Sequence, residues 1–211
     1  MKSAQAFWDK TAARYAKSPI SDEETYRKKL KITQRYFKPD WSVLEFGCGT
    51  GSTALIHAPH VREIIATDIS GKMLEIARSK ARDAGIENVE FQQGTLDSLK
   101  FEPEHFDAVL GLNILHLLED VEGAIARVGQ LLKPGGIFVS STGLIPMMKL
   151  HWRLLIPVMQ TLGFAPYVAR FDKVELIAML TAAGFTIEHE WQPDRGSVFI
   201  VARAGEFHPR A

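Results

Sequence analysis

The chain has 211 residues, enough for one domain with appendages and short of two full-size ones. Lys and Arg total 25 and Asp and Glu total 25, so the formal charge is zero, which argues against a grip on nucleic acid, and 46% hydrophobic with 24% charged residues excludes a disordered chain. The single cysteine, Cys48, cannot form an internal disulfide, and Met1-Lys2-Ser3-Ala4-Gln5 is not the apolar start of a secretory signal, so a reducing, cytoplasmic setting is expected.

The first 40 residues carry ten basic and five acidic side chains, a local +5 against −5 in the remainder. Such a run is ordinarily a solvated helix face. Up to Phe37 the pattern predicts two helices divided at Ser18-Pro19, with Ser21 capping the second and Glu24 completing a capping box. After Pro39 short apolar runs alternate with helical patterns: Trp41 to Phe46, Glu63 to Thr67, Asn88 to Gln92, Phe106 to Leu110 and Gly136 to Ser141. Alternation of this kind predicts an α/β fold with a parallel sheet. Helices are expected over Ser70 to Ala84, closed by Gly85, and Asp120 to Leu132, closed by Lys133-Pro134-Gly135-Gly136.

A long apolar insertion follows, and its most apolar stretch, Leu144 to Phe164, is broken by Pro146, Lys149, Arg153 and Pro157, so no membrane span is expected. A helix from Lys173 to Ala183 then leads into Phe185 to Trp191, a turn at Pro193-Asp194-Arg195-Gly196, and Ser197 to Arg203. So short a connection makes the last two strands antiparallel.

The run Glu45-Phe46-Gly47-Cys48-Gly49-Thr50-Gly51 places three glycines directly after the first strand, where backbone amides can approach a ligand. Gly49-Thr50-Gly51-Ser52-Thr53-Ala54 satisfies G-x-G-x-x-A, and Asp68 lies where a ribose-binding acid belongs, so a nicotinamide dinucleotide is one reading. Glu45 opposes it, because a carboxylate facing a pyrophosphate is repelled and one facing a cation is attracted. A solvated strand-end carboxylate is the remaining reading of Glu45, and a helix cap that of Asp68.

Taken in order, Glu45-Phe46-Gly47-Cys48-Gly49-Thr50-Gly51, Asp68, Phe106-Asp107 and Leu131-Leu132-Lys133-Pro134-Gly135-Gly136 resemble the motif series of class I S-adenosylmethionine-dependent methyltransferases of the small-molecule type, over about residues 5 to 203. The resemblance implies a Rossmann-like seven-stranded mixed sheet with a terminal antiparallel hairpin and helices on both faces. It implies S-adenosyl-L-methionine as cofactor, a small-molecule methyl acceptor and no metal, and the apolar insertion predicts that the acceptor is small or medium-sized with an apolar part. Glu45, Gly47 and Gly49 would surround the methionine moiety, with Cys48 taking part through its backbone. Asp68 would bind the ribose hydroxyls, Ile69 would pack on the adenine, and Thr95 and Leu96 would reach the adenine edge, Thr95 standing where the family often has an acid. Asn113 would line the methionine end. Trp8 and Tyr15 share a helix face, and Tyr15 would close over the cofactor, core packing being the other reading.

Methyl transfer draws much of its rate from alignment and demands no universal catalytic residue, so none is assigned; His116 is the nearest candidate base. Met148, Trp152, Leu155 and Met159 recur at helical spacing, an adaptable stripe suited to an acceptor pocket, a homodimer contact or core packing. The expected organisation is one domain over residues 1–211: a helical cap (1–38), a cofactor core (39–141), an acceptor-pocket insertion (142–171), and a terminal helix and hairpin (172–203). A dehydrogenase and a non-catalytic module that keeps the fold as an interaction surface stay open as alternatives.

Overall fold

The computed structural model describes residues 2–144 and 167–205. The chain groups into two compact units, one ending at Lys100 and one beginning at Phe101. The first holds α1 (Lys2–Lys17), α2 (Glu23–Gln34), β1 (Ser42–Phe46), α3 (Ser52–His57), β2 (Glu63–Asp68), α4 (Gly71–Asp83) and β3 (Val89–Gln93). β1 pairs with β2 and β2 with β3, all parallel, with Leu44 opposite Ile65 and Asp68 opposite Gln93. Every residue of β1 is buried, as befits a parallel strand covered on both faces, so its one charged residue, Glu45, has no wet face to turn to.

The second unit holds β4 (Phe106–Leu112), α5 (Val121–Leu131), β5 (Leu132–Gly143), α6 (Lys173–Ala182), β6 (Phe185–Asp194) and β7 (Ser197–Ala204). β4 and β5 are parallel; β7 runs antiparallel to β5 and to β6. The strand order is β3-β2-β1-β4-β5-β7-β6, the seven-stranded mixed sheet with a terminal antiparallel hairpin that the motif order implies. Phe106, Phe138 and Phe199 are wholly buried in this unit, each worth about 1.5–3 kcal/mol relative to exposure.

Three local expectations are corrected. Asp22, not Ser21, caps α2: its carboxylate accepts from the Thr25 N–H at 2.9 Å, one residue further on. The capping box belongs instead to α6, where Asp172 and Glu175 satisfy each other's backbone N–H groups. Lys133-Pro134-Gly135-Gly136 does not separate helix from strand. β5 begins at Leu132, and the tetrapeptide forms an irregularity inside it, Phe106 pairing with Leu132 and Ala108 with Ile137. Pro193 also falls inside a strand, on the edge strand β6, where its missing N–H breaks no ladder.

The apolar stripe of Met148, Trp152, Leu155 and Met159, and with it most of the 142–171 insertion, lies outside the described residues. Among the described residues no helix is long and apolar enough to cross a membrane, and no group of His, Cys, Asp and Glu side chains is placed to hold a metal ion.

Candidate functional site

The loop after β1 holds Gly47, Gly49 and Gly51 at φ 67°, 54° and 73°, left-handed conformations that strain any residue with a Cβ. A Cβ on Gly51 would also come within 2.8 Å of the Ala77 Cβ and 2.9 Å of the Phe91 ring, so this glycine lets α4 and β3 close against the loop. The Cys48 N–H donates to the Thr67 carbonyl at 2.9 Å, tying the loop to β2. Lys80 of α4 adds a second tie, its ammonium donating to the hydroxyls of Thr50 and Ser52 at 3.0 Å each.

These constraints aim the loop at Asp68, which ends β2. Its Oδ2 accepts from the Gly49 N–H at 2.9 Å and its Oδ1 from the Ser70 N–H at 2.8 Å. Burial raises the Asp68 pKa above the ordinary value, and the Ser70 and Gly49 N–H bonds oppose the rise. Glu45 is 3% exposed, and its Oε2 has no hydrogen-bond partner among the described residues. Burial first, and the neighbouring Asp68 second, push it up to about 8. Two carboxylates are thus held together with acceptor capacity left over. An ionised acid in such a place is costly until a cation or donor meets it.

The thiol of Cys48 is buried and held well above its ordinary pKa by burial, then by Glu45 and Asp68, so it stays neutral and unreactive. Tyr15, 52% exposed on α1, lies over the loop: a Cβ on Gly49 would sit 3.8 Å from its ring. Desolvation of its hydroxyl, then Asp68 and Glu45, raise the phenol pKa. Trp8 packs edge-on against Tyr15 with ring centroids 6.2 Å apart.

At the neighbouring strand ends, the Gly94 N–H donates to the Asp68 carbonyl at 3.0 Å and the Gln93 side-chain amide to the Ile69 carbonyl at 3.0 Å. This places Ile69 beside the start of the Thr95-Leu96 segment. Leu96 is buried, while the Thr95 hydroxyl accepts from the Ser98 N–H at 3.1 Å and so caps a turn.

Sequence reasoning missed two contributors. Tyr26 of α2 shares a hydrogen bond with the Thr53 hydroxyl at 3.1 Å; burial raises its phenol pKa, the Thr53 bond opposes this, and Glu45 and Tyr15 add to it. Asp9 of α1 accepts from the Ser70 hydroxyl at 2.6 Å. Each partner lies tens of residues away, so no local pattern announces the contact.

Asn113 and His116 belong to the second unit. Asn113 adopts φ 59°, a conformation asparagine tolerates, and its N–H donates to the Ser141 carbonyl at 2.6 Å. The His116 Nδ1 lies 3.0 Å from the Thr142 hydroxyl and accepts from the Gly143 N–H at 3.3 Å, which assigns the ring proton to Nε2. Burial pushes His116 down to about 4. Its ring is neutral at pH 7 and joins the turn after β4 to the end of β5.

A model of the "Methyltransferase domain" family matches residues 43–136. An uncharacterized methyltransferase, YcgJ of Bacillus subtilis, is 42% identical over 110 residues, 52% of this chain and 44% of that protein. A ubiquinone biosynthesis O-methyltransferase of Azorhizobium caulinodans is 32% identical over 172 residues, 76% of this chain and 66% of that protein. The chain thus spans about half to two thirds of the length of these relatives. The crystal structure of the Bacillus YcgJ protein shares the fold at a TM-score of 0.71 and 22% identity, covering 86% of this chain and all of that one. With the ordered motifs and the strand order already in place, these matches show a methyltransferase domain of the class I S-adenosylmethionine-dependent type built around residues 43–136.

Proposed function

We propose that the protein transfers a methyl group from S-adenosylmethionine to a small or medium-sized acceptor with an apolar part. The observation that carries the cofactor reading is Glu45, whose buried Oε2 lacks a partner among the described residues and lies beside a second acid. That arrangement suits a positively charged ligand and repels the pyrophosphate of a dinucleotide, which sets the dehydrogenase alternative aside. When bound, the cofactor supplies an electrophilic methyl group on a sulfonium. The cationic methionine end would draw the proton off Glu45 and meet the carboxylate so formed, and Gly47, Cys48 and Gly49 give it backbone room. Asp68 keeps lone pairs for the ribose hydroxyls, already oriented by the Gly49 and Ser70 N–H groups. Ile69, Thr95 and Leu96 border the adenine, Tyr15 covers the loop, and Asn113 lines the methionine end.

Positioning does most of the chemical work in this reading, since an in-line displacement needs the acceptor aligned and no obligatory base. His116 supplies none here: its Nδ1 is occupied and its pKa is depressed. The Azorhizobium relative is named for ubiquinone biosynthesis, which supports an acceptor with an apolar part. Calorimetric titration tests the cofactor: S-adenosylmethionine binds and NAD does not, and Asp68→Ala loses most of that affinity while staying folded. Radiolabelled cofactor offered with a panel of acceptors tests the second half. Turnover confined to polar or macromolecular acceptors would sink it.

A further inference from the structure

One carboxylate of the N-terminal helix ties it to the start of α4. Asp9 Oδ1 accepts from the Ser70 hydroxyl at 2.6 Å and from the Lys72 backbone N–H at 3.2 Å, both at the start of α4. A carboxylate there also meets the positive end of a helix 13 residues long. Ser70 is the hinge of a chain of bonds: its Oγ accepts from the Met73 N–H at 3.1 Å, and its own N–H donates to Asp68 Oδ1. The other Asp68 oxygen receives the Gly49 N–H. Asp9 is therefore two hydrogen bonds from the ribose carboxylate. Six residues along the same helix, Tyr15 stands over Gly49. Between them Ala12 is 2% exposed where α1 packs on α4, so the Asp9 bonds add direction and register to an apolar contact.

We propose that Asp9 is a positioning residue for the cofactor. By gripping Ser70 and the Lys72 N–H it latches α1 over the glycine loop, keeps Tyr15 in place at Gly49, and sets how fast the cofactor or its product leaves. The proposal rests on the cofactor reading above. Its first half, the latch, concerns the ligand-free protein and stands or falls separately.

Two variants and two readouts decide it. Asp9→Ala removes both bonds, whereas Asp9→Asn keeps an oxygen able to accept from Ser70. Amide hydrogen exchange of the ligand-free protein should rise about tenfold across residues 2–17 in Asp9→Ala, with β1, β2 and β3 protected as in the parent. Dissociation of S-adenosylhomocysteine, followed by stopped-flow tryptophan fluorescence with Trp8→Phe to assign the signal, should speed up about tenfold. Asp9→Asn should restore both to within about threefold of the parent. Unchanged exchange in Asp9→Ala overturns the latch. Faster exchange with unchanged dissociation overturns its role toward the cofactor, and an asparagine variant no better than alanine overturns the hydrogen-bond basis. Loss of protection in β1 to β3 as well would make Asp9 a general stability residue and likewise overturn the proposal. If the parent protein binds no S-adenosylhomocysteine, the cofactor reading and the coupling fail together, while exchange still decides the latch.

Discussion

Two strand carboxylates, one in each unit of the chain, are treated in opposite ways. Asp107, at the start of β4, receives the Lys133 ammonium on both oxygens at 2.9 Å, with the carboxylate side chain 18% exposed and the lysine 43%. Glu45, in the middle of β1, is sealed from water, and no cation among the described residues pairs with it. A half-wet ion pair contributes about 1 kcal/mol at most and serves as a clamp between β4 and the Lys133-to-Gly136 irregularity. An unpaired buried acid lowers stability, and a strand retains one where a ligand will complete it. Two of the motifs that carry the family resemblance therefore differ: the first holds an acid that the proposed function assigns to binding, and the last is tied into the sheet by an ion pair.

The sharpest way to break this contrast is Glu45→Gln. Cofactor affinity should fall about a hundredfold by calorimetry, the effect of removing one partner of a buried charge contact. The same change should stabilise the ligand-free protein at alkaline pH. Burial raises the folded pKa from 4.5 to about 8, so the contribution of Glu45 is fully present below pH 4.5 and is lost as the pH rises through 8. Thermal melts between pH 5 and 9 should show the parent losing stability with rising pH and the variant losing less. Equal slopes would mean that Glu45 is not the acid responsible.

His57 gives the opposite sign in the same unit. It is wholly buried, its Nε2 has no partner among the described residues, and burial first, with His60 second, pushes it down to about 4 from 6.5. Its stabilising contribution is present above pH 6.5 and is lost as the pH falls through 4. His57→Leu should remove on the order of 2 to 3 kcal/mol of acid sensitivity, read from denaturant midpoints at pH 7 and pH 4, without changing cofactor affinity.

His116→Ala should cost about 1 kcal/mol through the orphaned Gly143 N–H and lower turnover less than tenfold. A drop of a hundredfold or more, with a pH profile to match, would make His116 a base after all. Asp107→Ala should have the smallest effect, below about 1 kcal/mol, and leave cofactor affinity as it was. A loss of affinity there would erase the distinction between the two acids.

Much of this was legible because the requirements are local. Left-handed φ at Gly47, Gly49 and Gly51 selects glycine directly, alternation of apolar runs sets the strands, and the end of β2 places Asp68. Boundaries were less legible. Asp22 displaced Ser21 as a cap because adjacent acceptors compete for the same N–H groups, and β5 extended back to Leu132 because strand pairing with Phe106 outweighed the breaker residues of the tetrapeptide.

The sequence by itself determined the sheet, its terminal hairpin, the glycine loop and the two acids, since each follows from a periodicity or a backbone conformation written in neighbouring residues. Only the tertiary structure decided what those acids experience. Burial leaves Glu45 Oε2 without a partner among the described residues, and Asp9 reaches Ser70 across 61 positions of chain. Tyr26 meets Thr53 across 27 and Lys133 meets Asp107 across 26. Desolvation and long-range pairing are sums over the whole packed chain, and no window of neighbouring residues contains them.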